Sequence, residues 1–137
     1  NNDILLIYSN SGVNQSPVEA AVYGKKIGCI VISVTSFEYS NVAPLSNIGK
    51  KLIDLSDYYI DNCSPIGDGS VKMKNGYNVS AVSTIFGSFI LNSIISEVAT
   101  LAIDEEPFPF YTSANSLNSK NNNNLLIKKY KNRNFHL

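Results

Sequence analysis

A chain of 137 residues with 44% hydrophobic content and a formal net charge of zero can bury one real core, which points to a single domain. Two cysteines, Cys29 and Cys63, without metal spacing or companion histidines exclude a zinc site. The absence of a signal peptide and the polar breaks at Ser88, Asn92, Ser93, Ser96 and Glu97 in the greasiest stretch, Ile85 to Ile103, argue against a membrane span.

The chain opens on an apolar run, Ile4-Leu5-Leu6-Ile7-Tyr8, that reads as a buried strand. Ser9-Asn10-Ser11-Gly12-Val13-Asn14 follows it and precedes the helix opening Ser16-Pro17-Val18-Glu19. Small hydroxyls and a glycine at the carboxyl end of a strand, facing a helix start, outline a phosphate cradle. The glycine can take a positive φ and let the backbone approach a ligand, and Ser9 and Ser11 offer donors and acceptors to phosphate oxygens. An ordinary strand-to-helix turn uses the same residue types and is the competing reading.

Ser16 is placed to cap the first helix, with Pro17 at its first position, Glu19 closing a capping box and Gly28 stopping it after Lys25-Lys26. A second strand is expected over Ile30 to Thr35, then a loop from Ser36 to Ala43. A helix is expected around Pro44 to Leu55, with Leu45, Ile48, Leu52, Ile53 and Leu55 on one stripe. Tyr58 to Asp61 reads as a third strand, and Asn62 to Tyr77, which collects Pro65, Gly67, Gly69 and Gly76, as a long functional or mobile excursion. The longest helix is expected from Val79 to Ile103, with a last strand at Phe110-Tyr111-Thr112 and low-complexity polar sequence at Asn121 to Asn124. Cys29 and Cys63 read as buried thiols beside strands.

Charge is distributed unevenly along this order. Six basic and eleven acidic residues precede Pro107, whereas Lys120, Lys128, Lys129, Lys131 and Arg133 follow it with no acid. A basic helix folded back on an acidic body, or plain solvation, is the stronger reading of that tail, and a nucleic-acid partner the weaker one.

Strands alternating with helices predict a parallel sheet covered on both faces, with ligands at the carboxyl ends of the strands. That rule selects Ser9, Asn10, Ser11, Gly12 and Asn14 after the first strand. After the second it selects Thr35, Ser36, Glu38 and Tyr39, and after the third Asn62, Cys63 and Asp68. Ser83 and Thr84 add hydroxyls in the first turns of the long helix.

Four separated segments then agree in order with one family. Ser9-Asn10-Ser11-Gly12, Val34-Thr35-Ser36-Phe37-Glu38-Tyr39-Ser40, Ile60-Asp61-Asn62-Cys63-Ser64-Pro65-Ile66-Gly67-Asp68 and Val82-Ser83-Thr84-Ile85-Phe86-Gly87 resemble the sugar isomerase (SIS) domain superfamily, in particular its phosphoheptose-isomerase-like phosphosugar-binding members. The resemblance covers Asp3 to Asn115. It implies a three-layer α/β/α sandwich with a parallel Rossmann-like sheet, usually a homodimer, that binds a phosphorylated sugar or amino sugar, and the missing signal peptide and membrane span make a cytoplasmic location the expectation. On this basis residues 1–115 are the carboxyl-terminal part of a SIS domain and residues 116–137 a polar, basic tail. Because the first residue is Asn1 and a strand begins at once, a helix, a strand and a second Ser/Gly loop are expected before it.

The resemblance implies that Ser9, Ser11 and Asn14 line the phosphate loop, with Asn14 replacing the hydroxyl of many relatives. Asn10, Gly12, Thr35, Ser36, Ser83 and Thr84 complete the expected phosphosugar-binding set, with no metal and no cofactor. Isomerisation needs a base. Glu38, at the ligand edge, and Glu97, far along the long helix, are the candidates, each weighed against an exposed carboxylate with no role. Glu19 is better explained as a cap, His136 as a tail residue, and Asp61 with Asp68 lack the further oxygens of a metal site. Two function classes stay open: an enzyme acting on a phosphosugar, by isomerisation or by etherase-type elimination, and a non-catalytic phosphosugar sensor. A Rossmann dinucleotide binder is weaker, since Gly12 stands alone in its loop.

Overall fold

The computed structural model describes residues 3–113, 115–116, 119–134 and 136. The chain divides into two compact units, Asn1–Leu91 and Asn92–Leu137. Both belong to an α/β protein with a parallel three-stranded sheet and five helices among the described residues.

In the first unit the three expected strands form as read: β1 (Ile4–Tyr8), β2 (Ile30–Thr35) and β3 (Tyr58–Asp61), all parallel in the order β1-β2-β3. The register sets Ile4 beside Ile30 and Ile32 beside Tyr58. Alternation along each strand then puts Leu5, Ile7, Val31, Ser33 and Thr35 on one face. Ile4, Leu6, Tyr8, Ile30, Ile32, Val34, Tyr58 and Ile60 share the other.

The first face carries the core. Ile7 and Val31 pack with Val18 and Ala21 of α1 (Gln15–Lys26) and Leu52 of α3 (Leu52–Leu55), flanked by Leu5, Ala20 and Leu55. Both crossovers run the same way across the sheet, and right-handed crossovers of one direction put their helices on one face. The second face is wholly apolar yet only partly covered: Ile4 and Tyr58 are 62% and 64% exposed.

Lys25 of α1 and Asp57 tie this layer together. The ammonium donates to Asp57 Oδ1, and Val31 N–H donates to Asp57 Oδ2 at 2.9 Å. The Lys25 contact, and after it the Val31 N–H, hold the Asp57 carboxyl below its ordinary pKa. A depressed carboxyl contributes stability above its unfolded pKa and loses it as pH falls through the lower folded value. The melting-temperature gap between wild type and Asp57→Asn is therefore expected to be constant from neutral pH to about pH 5 and to close below about pH 4. A gap unchanged in acid would refute this.

Several local expectations are corrected. The first helix begins at Gln15 with Asn14 as cap residue, so Pro17 sits third, still within the turn whose N–H groups have no intrahelical acceptor. Glu19 Oε1 accepts from Gln15 Nε2 at 2.8 Å and no Ser16 capping box forms. The expected loop Ser36 to Ala43 is instead α2 (Phe37–Val42), because Ser36 Oγ accepts from Tyr39 N and caps it. The helix expected from Pro44 shrinks to α3. Ser46 to Lys50 form a turn in which Gly49 takes φ +70° and donates to Ser46 O at 2.8 Å. Cys29 is only half-buried and Cys63 is exposed at φ +53°, so neither is a core thiol.

The long excursion holds the first strand and the turn of an antiparallel hairpin, β4 (Gly69–Lys72), whose second strand, β5 (Asn78–Ala81), follows directly after it. It takes the residues expected to start the long helix, which runs as α4 (Val82–Leu101). By length and composition alone α4 is apolar enough to cross a membrane, contrary to the sequence expectation. Its first turns meet the sheet, where a Cβ on Gly87 would come 3.3 Å from the Tyr8 ring.

The second unit holds the end of α4 and α5 (Ser119–Tyr130), so the Asn-rich run is helical rather than featureless. The strand expected at residues 110–112 does not form. Asn123 of α5 takes their polar groups, accepting from Thr112 N at 2.9 Å and donating to Thr112 O at 2.8 Å, and Asn122 donates to Phe108 O and Phe110 O. Side-chain amides thus stand where a neighbouring strand would.

Candidate functional site

At the carboxyl ends of the three strands the first unit has a cavity of about 370 Å³. Tyr8, Ser9 and Asn10 reach it from β1 and its loop, Val34 from β2, and Asn62 from the end of β3. The first turns of α4 close it with Ser83, Thr84, Gly87, Ser88 and Leu91. Both sides mix apolar groups with hydroxyls or amides, the mixture that orients a polar small molecule.

Local sequence explains each wall. Gly12 adopts φ +67° and is buried, a conformation that lets the Ser9 loop fold back. Gly12 N donates to Ser9 O at 3.1 Å and Gly12 O accepts from Leu52 N at 2.8 Å. Asn10 O accepts from Ser36 N, which ties the loop to the end of β2. On the α4 side, Asp68 at φ +69° caps the helix: it accepts from Ser83 N at 2.7 Å and from Ser83 Oγ at 2.5 Å.

Two polar atoms in this lining stand out. Ser9 is 8% exposed, and its Oγ, like Asn10 Nδ2, is buried with no hydrogen-bond partner among the described residues. A buried unsatisfied donor costs about 1–3 kcal/mol, so a native structure that keeps two together gives reason to look for a ligand group or water there. Burial raises the pKa of the Tyr8 phenol, which therefore stays neutral at physiological pH.

Of the expected site residues, Ser9, Asn10, Ser83 and Thr84 share the cavity lining; Ser11, Gly12, Asn14, Thr35 and Ser36 do not. Ser36 is spent structurally, donating to Ser64 O at 2.5 Å while capping α2. Asn14 is exposed and makes no side-chain cap. Thr35 Oγ1 is buried without a partner, away from the cavity lining. Glu38 is exposed on α2, and Glu97 lies in the stretch of α4 assigned to the second unit. Asp61 accepts from Phe37 N and Cys63 N. No group of three His, Cys, Asp or Glu among the described residues could hold a metal. Asn62 and Ser88 also line the cavity; Asn62 is among the residues selected by their place after β3, whereas Ser88, read only as a polar break in the apolar stretch, lies one helical turn after Thr84.

Comparison with known proteins finds a family likeness in the first loop of this edge. A SIS-domain model matches residues 1–36, which run from β1 through α1 to the end of β2. The SIS match thus includes Ser9 and Asn10 of the cavity and the Ser36 cap. A UPF0309 protein of Brucella anthropi is 40% identical over 136 residues, 98% of this chain and 55% of the relative. UPF0309 proteins of Brucella canis and Brucella suis biovar 1 are each 38% identical over the same length. The chain spans about half the length of the curated relatives it matches.

Proposed function

We propose that the cavity binds a phosphorylated sugar or amino sugar, within a SIS fold that is a three-layer sandwich in the whole protein. The observation that carries this reading is the pair of buried, unpartnered groups, Ser9 Oγ and Asn10 Nδ2, in a hydroxyl-lined cavity at the strand ends. SIS-domain sequence through the same loop supports the phosphosugar class. The lining has no lysine or arginine, so a phosphate is held by amide and hydroxyl donors.

The lining also has no carboxylate or imidazole. That favours binding, as in a sensor, over isomerisation by these residues alone. Calorimetric titration with glucosamine 6-phosphate, sedoheptulose 7-phosphate and their unphosphorylated sugars tests the reading. The phosphorylated compounds are expected to bind more tightly, and Ser9→Ala to weaken them about tenfold to a hundredfold, the worth of a hydrogen bond to a charged group. Failure of every phosphosugar to bind would end the proposal.

We also propose assembly as a two-fold dimer through α4, whose Ile85 and Phe89 are 63% and 70% exposed. Sedimentation velocity is expected to return twice the 15.0 kDa chain mass, and Phe89→Glu a monomer. A wild type that stays monomeric at high micromolar concentration would contradict it.

A further inference from the structure

The amides of Asn62 and Asn10 form a relay whose direction is set by the backbone. Ser64 N–H, which can only donate, donates to one side-chain atom of Asn62 at 3.0 Å, and that atom must be Oδ1. The other end of Asn62 is then Nδ2, which donates to Asn10 at 3.0 Å, so the Asn10 atom it meets must be Oδ1. Asn10 is left with Nδ2 directed away from the relay, buried, unpartnered and able only to donate. Asn62 is 5% exposed and has no freedom to turn without breaking one of these bonds.

The opposite wall is fixed in the reverse sense. The Asp68 carboxylate accepts only, so Ser83 Oγ spends its proton on Asp68 and faces the cavity as an acceptor. From these two relays we propose that Asn62 is a positioning residue that gives the cavity a polarity. Through Asn10 it presents a donor to an acceptor-only group of the ligand, a phosphate oxygen, beside Ser9. Ser83, backed by Asp68, receives a hydroxyl or ammonium of the same ligand. This rests on the phosphosugar reading and adds to it the direction in which the ligand lies.

Asn62→Asp tests the relay with almost no change of shape. The introduced carboxylate still accepts from Ser64 N but offers an acceptor to Asn10, whose amide must then rotate and point Oδ1 into the cavity. Asn10→Asp makes the same inversion directly and keeps the bond from Asn62. Calorimetry with inorganic phosphate, glucosamine 6-phosphate and glucosamine should show at least tenfold weaker binding of both phosphates in each variant, with glucosamine least affected. Nitrogen-15 spectra give a signature that a purely structural role would not move. The Asn10 side-chain NH₂ signals of the wild type should shift on phosphate addition. In Asn62→Asp they should show contacts to residue 62 and stop responding to phosphate.

Wild-type binding without movement of the Asn10 NH₂ signals, or unchanged phosphate affinity in both variants, overturns the relay while leaving phosphosugar binding intact. Binding of none of the three probes by the wild type overturns the phosphosugar reading and the relay with it. If Asn62→Asp fails to fold, Asn10→Asp and the wild-type spectra still decide.

Discussion

Leu52→Ala is expected to cost about 2–5 kcal/mol of stability, the range for truncating a fully buried leucine in a core that cannot collapse. Leu52 is 0% exposed and packs with Ile7, Val18, Ala21 and Val31 where α3 closes the covered face of the sheet. It also faces the site loop: a Cβ on Gly12 would lie 3.6 Å from Leu52 Cβ, and Leu52 N–H donates to Gly12 O. The substitution keeps that backbone bond, so the folded fraction should bind ligand nearly as the wild type does while the urea midpoint falls sharply. Leu45→Ala is the control. Leu45 is on the same expected stripe but is 60% exposed, and its loss should stay within about 0.5 kcal/mol. Equal losses for the two would mean that the core is not where these contacts put it.

The contrast between Leu45 and Leu52 shows where sequence reading stops. Both fit one helical period, yet Ser46, Asn47 and Gly49 between them offer a turn with its own hydrogen bonds, and periodicity does not weigh that competition. β1, β2 and β3 were legible to the residue because each is a short apolar run bounded by polar or glycine residues. Ser36 could have been read as a cap, since the residues after it are compatible with a helical turn, but its bond to Ser64 O depends on a contact 28 positions away. The second half of the excursion hid a hairpin, because the Asn75-Gly76 turn signal sits among other glycines and prolines.

The site was legible at its edge and not in its membership. The carboxyl-end rule selects Ser9, Asn10 and Asn62, and the start of the long helix adds Ser83 and Thr84; the cavity gathers all five. The rule also selects Thr35 and Ser36, whose positions on or beside β2 it does not distinguish from cavity-facing ones. Residues on one strand alternate between faces, so Val34 reaches the cavity while its neighbour Thr35 points to the α1 side. The Asn10–Asn62 relay spans 52 positions. No spacing rule reports a contact of that range.

Gly87→Leu is expected to abolish ligand binding while leaving a folded protein. Gly87 is buried in α4 where the helix crosses Tyr8, and a Cβ there would stand 3.3 Å from Cδ1 and 3.4 Å from Cε1 of the ring. Alanine asks the Tyr8 ring, itself 39% exposed, to give by a few tenths of an ångström. Replacing a mid-helix glycine also regains about 0.5–1 kcal/mol of backbone entropy, so Gly87→Ala should be close to neutral. Leucine adds three more carbons, which must either lift α4 from the sheet or enter the cavity. Overpacking of this kind costs about 1–3 kcal/mol, and both routes narrow a space of about 370 Å³ between Tyr8 and the α4 hydroxyls. Calorimetry with glucosamine 6-phosphate should show Gly87→Ala within about threefold of wild type and Gly87→Leu weaker by at least about a hundredfold, which is about 2.7 kcal/mol. Thermal melts should show both variants folding cooperatively. Wild-type affinity in Gly87→Leu would mean that the ligand does not lie between β1 and α4, and the cavity would lose its claim to be the site.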